Sequence, residues 1–184
     1  MSLRIPRPDE YQEQILFTAG EISERLRELG QEISQAYPKG LVLLANQRAS
    51  AVFLTDLMRT LSVPVDYDFL ELGRVSLDDE APLLFLKQVA TVNITGQDVL
   101  LLTDIVRSAF SVHFLLEQLS AKEPKSLEIC SLLYNPIQQL LPIPIKYKGF
   151  ETTHHSVCGY GMAYRGDGRQ YPDIVKLLAE NAED

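Results

Sequence analysis

Asp104, Arg107, Ser108 and Ser111 stand close behind the apolar run Val99-Leu100-Leu101-Leu102, with Thr103 between. A carboxylate, a guanidinium and hydroxyls in one short stretch suit anion chemistry. If the run is a strand and a helix begins near Ser111, free backbone N–H groups and the positive helix end form an anion cradle. Ser108 and Ser111 add hydroxyl donors, and Arg107 adds a planar fork that matches phosphate. The plainer alternative is that Ser111 caps the helix and Arg107 is solvated. From spacing alone that alternative is preferred, because short serine-containing loops are common. Asp78-Asp79-Glu80 are adjacent carboxylates without a spaced partner, so Gly73 to Pro82 reads as a solvated loop rather than a metal cage. His154 and His155 are neighbours and would not share a strand face, so they read as polar loop residues. His113 reads as a surface or packing residue, and the scattered tyrosines make no stacking platform for nucleic acid.

The elements that must position these groups follow from composition and periodicity. The chain has 184 residues, 46% hydrophobic and 23% charged, which suits one globular domain or a domain with a small subdomain. Lys plus Arg number 17 against 25 Asp plus Glu, a formal charge of −8, which argues against nucleic-acid backbone binding as the main task. Cys130 and Cys158 lie in apolar runs and read as buried free thiols of a reducing compartment. The start of the chain carries no signal-peptide core, and no stretch is apolar enough to span a bilayer, so a soluble cytoplasmic protein is expected.

Ile22, Leu26, Leu29 and Ile33 recur at helical spacing, predicting a helix over about Ala19–Tyr37. Thr18 and Glu21 form its capping box, and Phe17 with Ile22 its hydrophobic staple. Leu41–Ala45, Val99–Leu102 and Leu127–Tyr134 read as buried strands. Val65–Leu70 and Leu83–Val89 read as further strands. Helices are expected from a cap at Ser50, carrying Phe53, Leu54 and Leu57, and from Ser111, carrying Phe114, Leu115 and Leu119. Thr95-Gly96-Gln97 is a turn, Ile105 to Phe110 a loop, and a last helix is predicted over about Pro172–Glu180. Strands alternating with helices imply a mostly parallel sheet whose ligands bind at the strands' carboxyl ends.

The stretch Val99 to Ser111 resembles the phosphoribosyl-diphosphate loop of the hypoxanthine-guanine phosphoribosyltransferase family: apolar strand, Glu-Asp, two aliphatics, Asp-Thr-Gly, any residue, Thr. Asn46-Gln47-Arg48-Ala49-Ser50 and the helix after it resemble the family's pyrophosphate loop. The helix from Ala19 resembles the family's first helix, and Val65-Asp66-Tyr67-Asp68-Phe69 the strand that follows the pyrophosphate loop. Tyr147-Lys148-Gly149-Phe150-Glu151 and Val157 to Tyr164 resemble stretches of its purine-covering hood. The resemblance implies an α/β, Rossmann-like fold of the type I phosphoribosyltransferases, a mostly parallel sheet flanked by helices. One domain is implied, with a core over about 18–134 and a hood built from the N-terminal segment and about 135–184. It also implies joining of hypoxanthine or guanine to phosphoribosyl diphosphate with magnesium, in purine salvage, by a homodimer or homotetramer.

Residue by residue, the family's chemistry is altered. Thr103-Asp104 replaces the acidic pair, which leaves Asp104 as the one acid for ribose hydroxyls and metal. Arg107 takes the place of the carboxylate proposed to accept the purine N7 proton, and a guanidinium cannot accept one. Ala109 replaces the loop glycine, so it crowds a phosphate and disfavours positive φ; Ser111 keeps the closing hydroxyl, and Ser108 precedes it. Asn135 takes the place of the lysine that donates to the purine, Ser156 that of the stacking aromatic, and Ala163 that of a metal-holding Asp. Arg48 and Arg169 retain basic pyrophosphate positions, with Ala49 in place of a glycine, and Val157 retains the position that offers its backbone to the base. The resemblance thus implies either a divergent purine phosphoribosyltransferase with weakened or lost activity, or a non-catalytic nucleotide- or phosphate-binding regulator.

Overall fold

The computed structural model describes residues 11–46, 48–75, 83–88, 90–154 and 156–179. Gln47, the acidic residues 78–80, Val89, His155, Glu180 and the N-terminal start, for which expectations were given above, lie outside the described residues. The elements in order are β1 (Tyr11–Phe17), α1 (Ala19–Ala36), β2 (Leu41–Asn46), α2 (Ala51–Thr60), β3 (Val65–Val75), β4 (Leu83–Gln88), β5 (Asp98–Val106), α3 (Phe110–Ser120), β6 (Ser126–Tyr134), β7 (Tyr147–Glu151), β8 (Val157–Cys158) and β9 (Ile174–Ala179). A short 3-10 turn, Arg48–Ser50, joins β2 to α2. The fold is the α/β type I arrangement that the resemblance implies.

A six-stranded sheet runs β4-β3-β2-β5-β6-β7. Pairing is parallel from β3 across to β7, and β4 alone is antiparallel. Because β2, β5 and β6 are covered on both faces, their sequences are unbroken apolar runs; Leu43, Leu44, Leu100, Leu101, Leu132 and Leu133 are each 0% exposed. One face packs on α1 and α2 through Ile22, Leu26, Leu29, Phe53 and Leu57, and the other on α3 through Val112, Leu115 and Leu119. The capping box of α1 forms: Glu21 N donates to Thr18 Oγ1 at 3.2 Å, and Thr18 N to Glu21 Oε2 at 2.8 Å. Phe17 joins the cluster that holds Ile22 and also stacks on Phe150 at 4.3 Å between centroids. Gly30 lets α1 cross α2 closely, since a Cβ there would lie 2.1 Å from Thr60 Oγ1.

A second, antiparallel sheet has the order β1-β9-β8. Here the expected last helix is corrected. Residues 174–179 form strand β9, which takes partners on both sides, and Ile174 is fully buried. Ile174, Leu177 and Leu178 fit helical spacing equally well, but two neighbouring edges supply backbone hydrogen bonds that a lone short helix lacks. Tyr147–Glu151, which the resemblance assigned to the hood, instead extends the large sheet as β7. β3 continues through Val75 into the stretch read as a loop from Gly73. Both cysteines are free and buried; burial pushes the Cys130 thiol well up and the Cys158 thiol up to about 11. Among the described residues no helix is long and apolar enough to cross a membrane.

Candidate functional site

Chain direction fixes where a ligand can enter. From β2 the chain proceeds to β3 on one side, and from β5 to β6 on the other, so the order reverses between β2 and β5. In such sheets a crevice opens at that reversal, beyond the strands' carboxyl ends. The turn Arg48–Ser50 and the loop Arg107–Ala109 flank it.

β5 runs through Val106, so Thr103 and Asp104 lie within the strand and the loop is shorter than expected. Thr103 is 0% exposed, and its Oγ1 lies 3.1 Å from Ser131 Oγ. Ser131 donates its own proton to the Leu133 carbonyl, which makes Thr103 the donor to Ser131 and spends its hydroxyl inside the sheet. Burial raises the pKa of Asp104, against the backbone N–H groups of Ile105 and Asp104 and the charges of Arg107 and Arg169. Asp104, Arg107 and Arg169 thus share one electrostatic neighbourhood. Arg107 itself is exposed at the strand's end.

Helix α3 begins at Phe110, one residue before the expected cap, and Ser111 sits in its first turn. The N-cap is Ala109, whose side chain cannot cap and whose backbone is left-handed at φ 71. Expected to resist positive φ, Ala109 adopts it at a cost of roughly 1–2 kcal/mol, held by burial at 4% exposed and by His113 N donating to its carbonyl at 2.9 Å. Ser108 is tied through its carbonyl, which accepts from Leu140 N at 3.3 Å. On the other flank Ser50 is the N-cap residue of α2, as expected, but makes no side-chain capping bond; its Oγ donates to the Asn46 carbonyl at 2.8 Å, fully buried.

The remaining candidates divide between locations. Arg48 lines a hollow of 300 Å³ with Phe69, Glu71 and Gln88. Arg169 lines a groove of 960 Å³ with Asp56, Arg59 and Tyr160, so the two arginines face different spaces. Ala49 meets the turn at Gly161, where a Cβ would lie 2.7 Å from the Ala49 carbonyl oxygen. Asn135 is 2% exposed; its Oδ1 accepts from Ile137 N and Gln138 N at 3.1 Å each, and its Nδ2 has no partner among the described residues. Val157 is buried and pairs with Lys176, and the Ser156 carbonyl accepts from Leu177 N at 3.0 Å. Asn46 entered the sequence reading only as the first residue of the Asn46–Ser50 loop, with no role of its own, yet its buried Oδ1 also lacks a partner among the described residues. A polar residue ending the apolar run Leu41–Ala45 was the available signal.

Magnesium does not fit these donors. Thr103 is sealed away, Asp104 stands alone beside guanidinium charge, and among the described residues no group of three His, Cys, Asp or Glu side chains is gathered for a metal.

The model of the phosphoribosyl transferase domain matches residues 12–165. The hypoxanthine-guanine phosphoribosyltransferase of Dictyostelium discoideum is 31% identical over 173 residues, covering 91% of this chain and 96% of that protein. The chain belongs to the hypoxanthine-guanine phosphoribosyltransferase family. The hypoxanthine phosphoribosyltransferase of Escherichia coli is similar at 32% over 170 residues, covering 90% of this chain and 95% of its own. The solved hypoxanthine phosphoribosyltransferase of Staphylococcus aureus superimposes with a TM-score of 0.87 at 27% identity, covering 96% of each chain. Family membership accounts for the sheet order and the crevice.

Proposed function

We propose that this protein holds a phosphate-bearing small molecule of the nucleotide or phosphoribosyl diphosphate class beside the loop after β5, and that purine transfer there is slow. The observation that carries this reading is Arg107, exposed at the end of β5 within the field of Asp104. A guanidinium at that point attracts a phosphate and cannot take a proton from a purine. Loss of a proton-transfer group costs roughly 10²–10⁴ in rate. In this reading Ser108, Ala109, Ser111, Arg48, Ala49 and Arg169 surround phosphate groups, and Asn135, Ser156 and Val157 line the base pocket. Asp104 meets ribose hydroxyls. Cytoplasmic residence and assembly as a homodimer or homotetramer belong to the same proposal. Likeness over most of the chain to proteins named as hypoxanthine and hypoxanthine-guanine phosphoribosyltransferases favours a second reading, ordinary purine salvage by a divergent enzyme.

Nucleotide formation from hypoxanthine or guanine with phosphoribosyl diphosphate and magnesium separates them. Slow or absent turnover is expected, together with a rise in melting temperature on adding inosine or guanosine monophosphate. Turnover at the usual enzyme rates of 1–10³ s⁻¹ would overturn the slow-transfer reading. No turnover and no thermal shift would remove the anion site as well.

A further inference from the structure

One cross-brace joins α2 to the small sheet's connections and stands outside the roles assigned above. Tyr160 is 8% exposed, and its hydroxyl donates to Asp56 Oδ2 at 2.7 Å. Its backbone sits at φ 50, and Gly159 and Gly161 flank it at φ 98 and 89. A non-glycine residue stays in that region only where its surroundings over-determine it. They do so here: Tyr160 N donates to the Tyr171 carbonyl at 2.8 Å, Gly161 N to the Arg169 carbonyl at 3.0 Å, and the phenol to α2.

This turn touches the backbone next to Arg48 and the side chain of Arg169. A Cβ on Gly161 would lie 2.7 Å from the Ala49 carbonyl and 3.2 Å from Val52 Cγ2, so the turn rests directly on the start of α2 and the Arg48–Ser50 turn. Arg169 Nη1 donates to the Gly161 carbonyl at 2.7 Å. That bond uses one of the five N–H groups of the guanidinium, and no other bond of it is made among the described residues. A guanidinium already held loses less rotamer freedom on binding than a free one.

We propose that Asp56 and Tyr160 are positioning residues, and that their hydrogen bond fixes the Tyr160–Gly161 turn so that Arg169 is presented ready-oriented to a phosphate-bearing ligand. This rests on the reading of Arg169 as an anion-binding arm. Asp56 and Tyr160 act on the ligand only through Arg169, which separates positioning from simple bracing.

Calorimetric affinity for inorganic pyrophosphate tests it, in the full-length protein and in Tyr160→Phe, Arg169→Ala and the double variant. Tyr160→Phe keeps the buried ring, so it is the variant of choice where Asp56→Ala fails to fold. Expected are an about tenfold weakening in Tyr160→Phe, in the range of one hydrogen bond, a larger weakening in Arg169→Ala, and no further loss in the double variant. Equal loss from Tyr160→Phe in both backgrounds, or none in either, overturns the positioning role while leaving Arg169 as an anion arm. Unchanged affinity in Arg169→Ala overturns the reading of Arg169 and the positioning role with it.

Discussion

After β2 the chain turns through Arg48–Ser50. Ser50 there is fully buried and bonded back to Asn46, and the Gly161 turn presses on Ala49. After β5 it turns through Arg107–Ala109, with Arg107 exposed, the next residue Phe110 51% exposed, and a left-handed alanine as the uncapped helix start. Both turns flank one crevice. The first is a joint, over-determined by the Gly161 turn packed against it, and its shape has little freedom. The second is strained at the buried Ala109 but open at Arg107 and Phe110, whose exposed side chains can change without disturbing the core. That difference leaves position 107 room to carry a charged side chain at the rim of a scaffold that matches its family over most of the chain.

The contrast can be broken by moving a methyl group in opposite directions at two left-handed positions. Gly161→Ala adds one at φ 89 against the Ala49 carbonyl. Strain and clash together are expected to cost about 2–4 kcal/mol in urea unfolding; a cost below about 1 kcal/mol would mean that the joint yields. Ser50→Ala removes one buried hydrogen bond from that joint. It is expected to lower stability by about 1 kcal/mol, read as a fall in the urea midpoint with an unchanged slope.

Ala109→Gly sharpens the other half. Relief of about 1 kcal/mol of left-handed strain offsets a lost buried methyl of about 0.8 kcal/mol and a freer unfolded chain. The net change is expected to stay within about 1 kcal/mol, while pyrophosphate binds at least as tightly because the backbone is more open. A large destabilisation would show that the second loop is as locked as the first.

The smallest effect lies outside both loops, at Asp68 on β3, and appears only in acid. Burial favours the neutral Asp68 carboxyl. Donation by Phe69 N, Thr91 N, Thr91 Oγ1 and Val92 N outweighs it, so the pKa falls below the ordinary value. The folded pKa lies below the unfolded one, so this stabilisation is fully present above the unfolded value, about 3.9. It is lost as pH falls through the folded value. Asp68→Asn is expected to flatten the stability–pH curve below about pH 4, measured by thermal unfolding. An unchanged acid limb would remove Asp68 as its cause.

Much of the positioning framework was legible residue by residue. Apolar runs marked β2, β5 and β6 because a strand covered on both faces has no polar side to display. Thr18 and Glu21 marked the start of α1 because their bonds are local. Less of the site was legible. Asp104 and Arg107 could be singled out by type and spacing, but not that Thr103 would spend its hydroxyl on Ser131, 28 residues away. The spacing in 172–180 fitted a helix, and only pairing with β1, more than 150 residues earlier, makes β9 a strand.

Composition and local order in this sequence therefore determine the layers of the sheet, the caps, and which chemical groups reach the strand ends. The tertiary structure decides which of those groups remain free to act. Thr103 is sealed, Asp104 is left among guanidinium charges, and Arg169 is steadied by a turn braced from α2 through Tyr160. The reason is physical. Periodicity and capping are properties of neighbouring residues, whereas hydrogen-bond partners and dielectric surroundings exist only after distant segments have met.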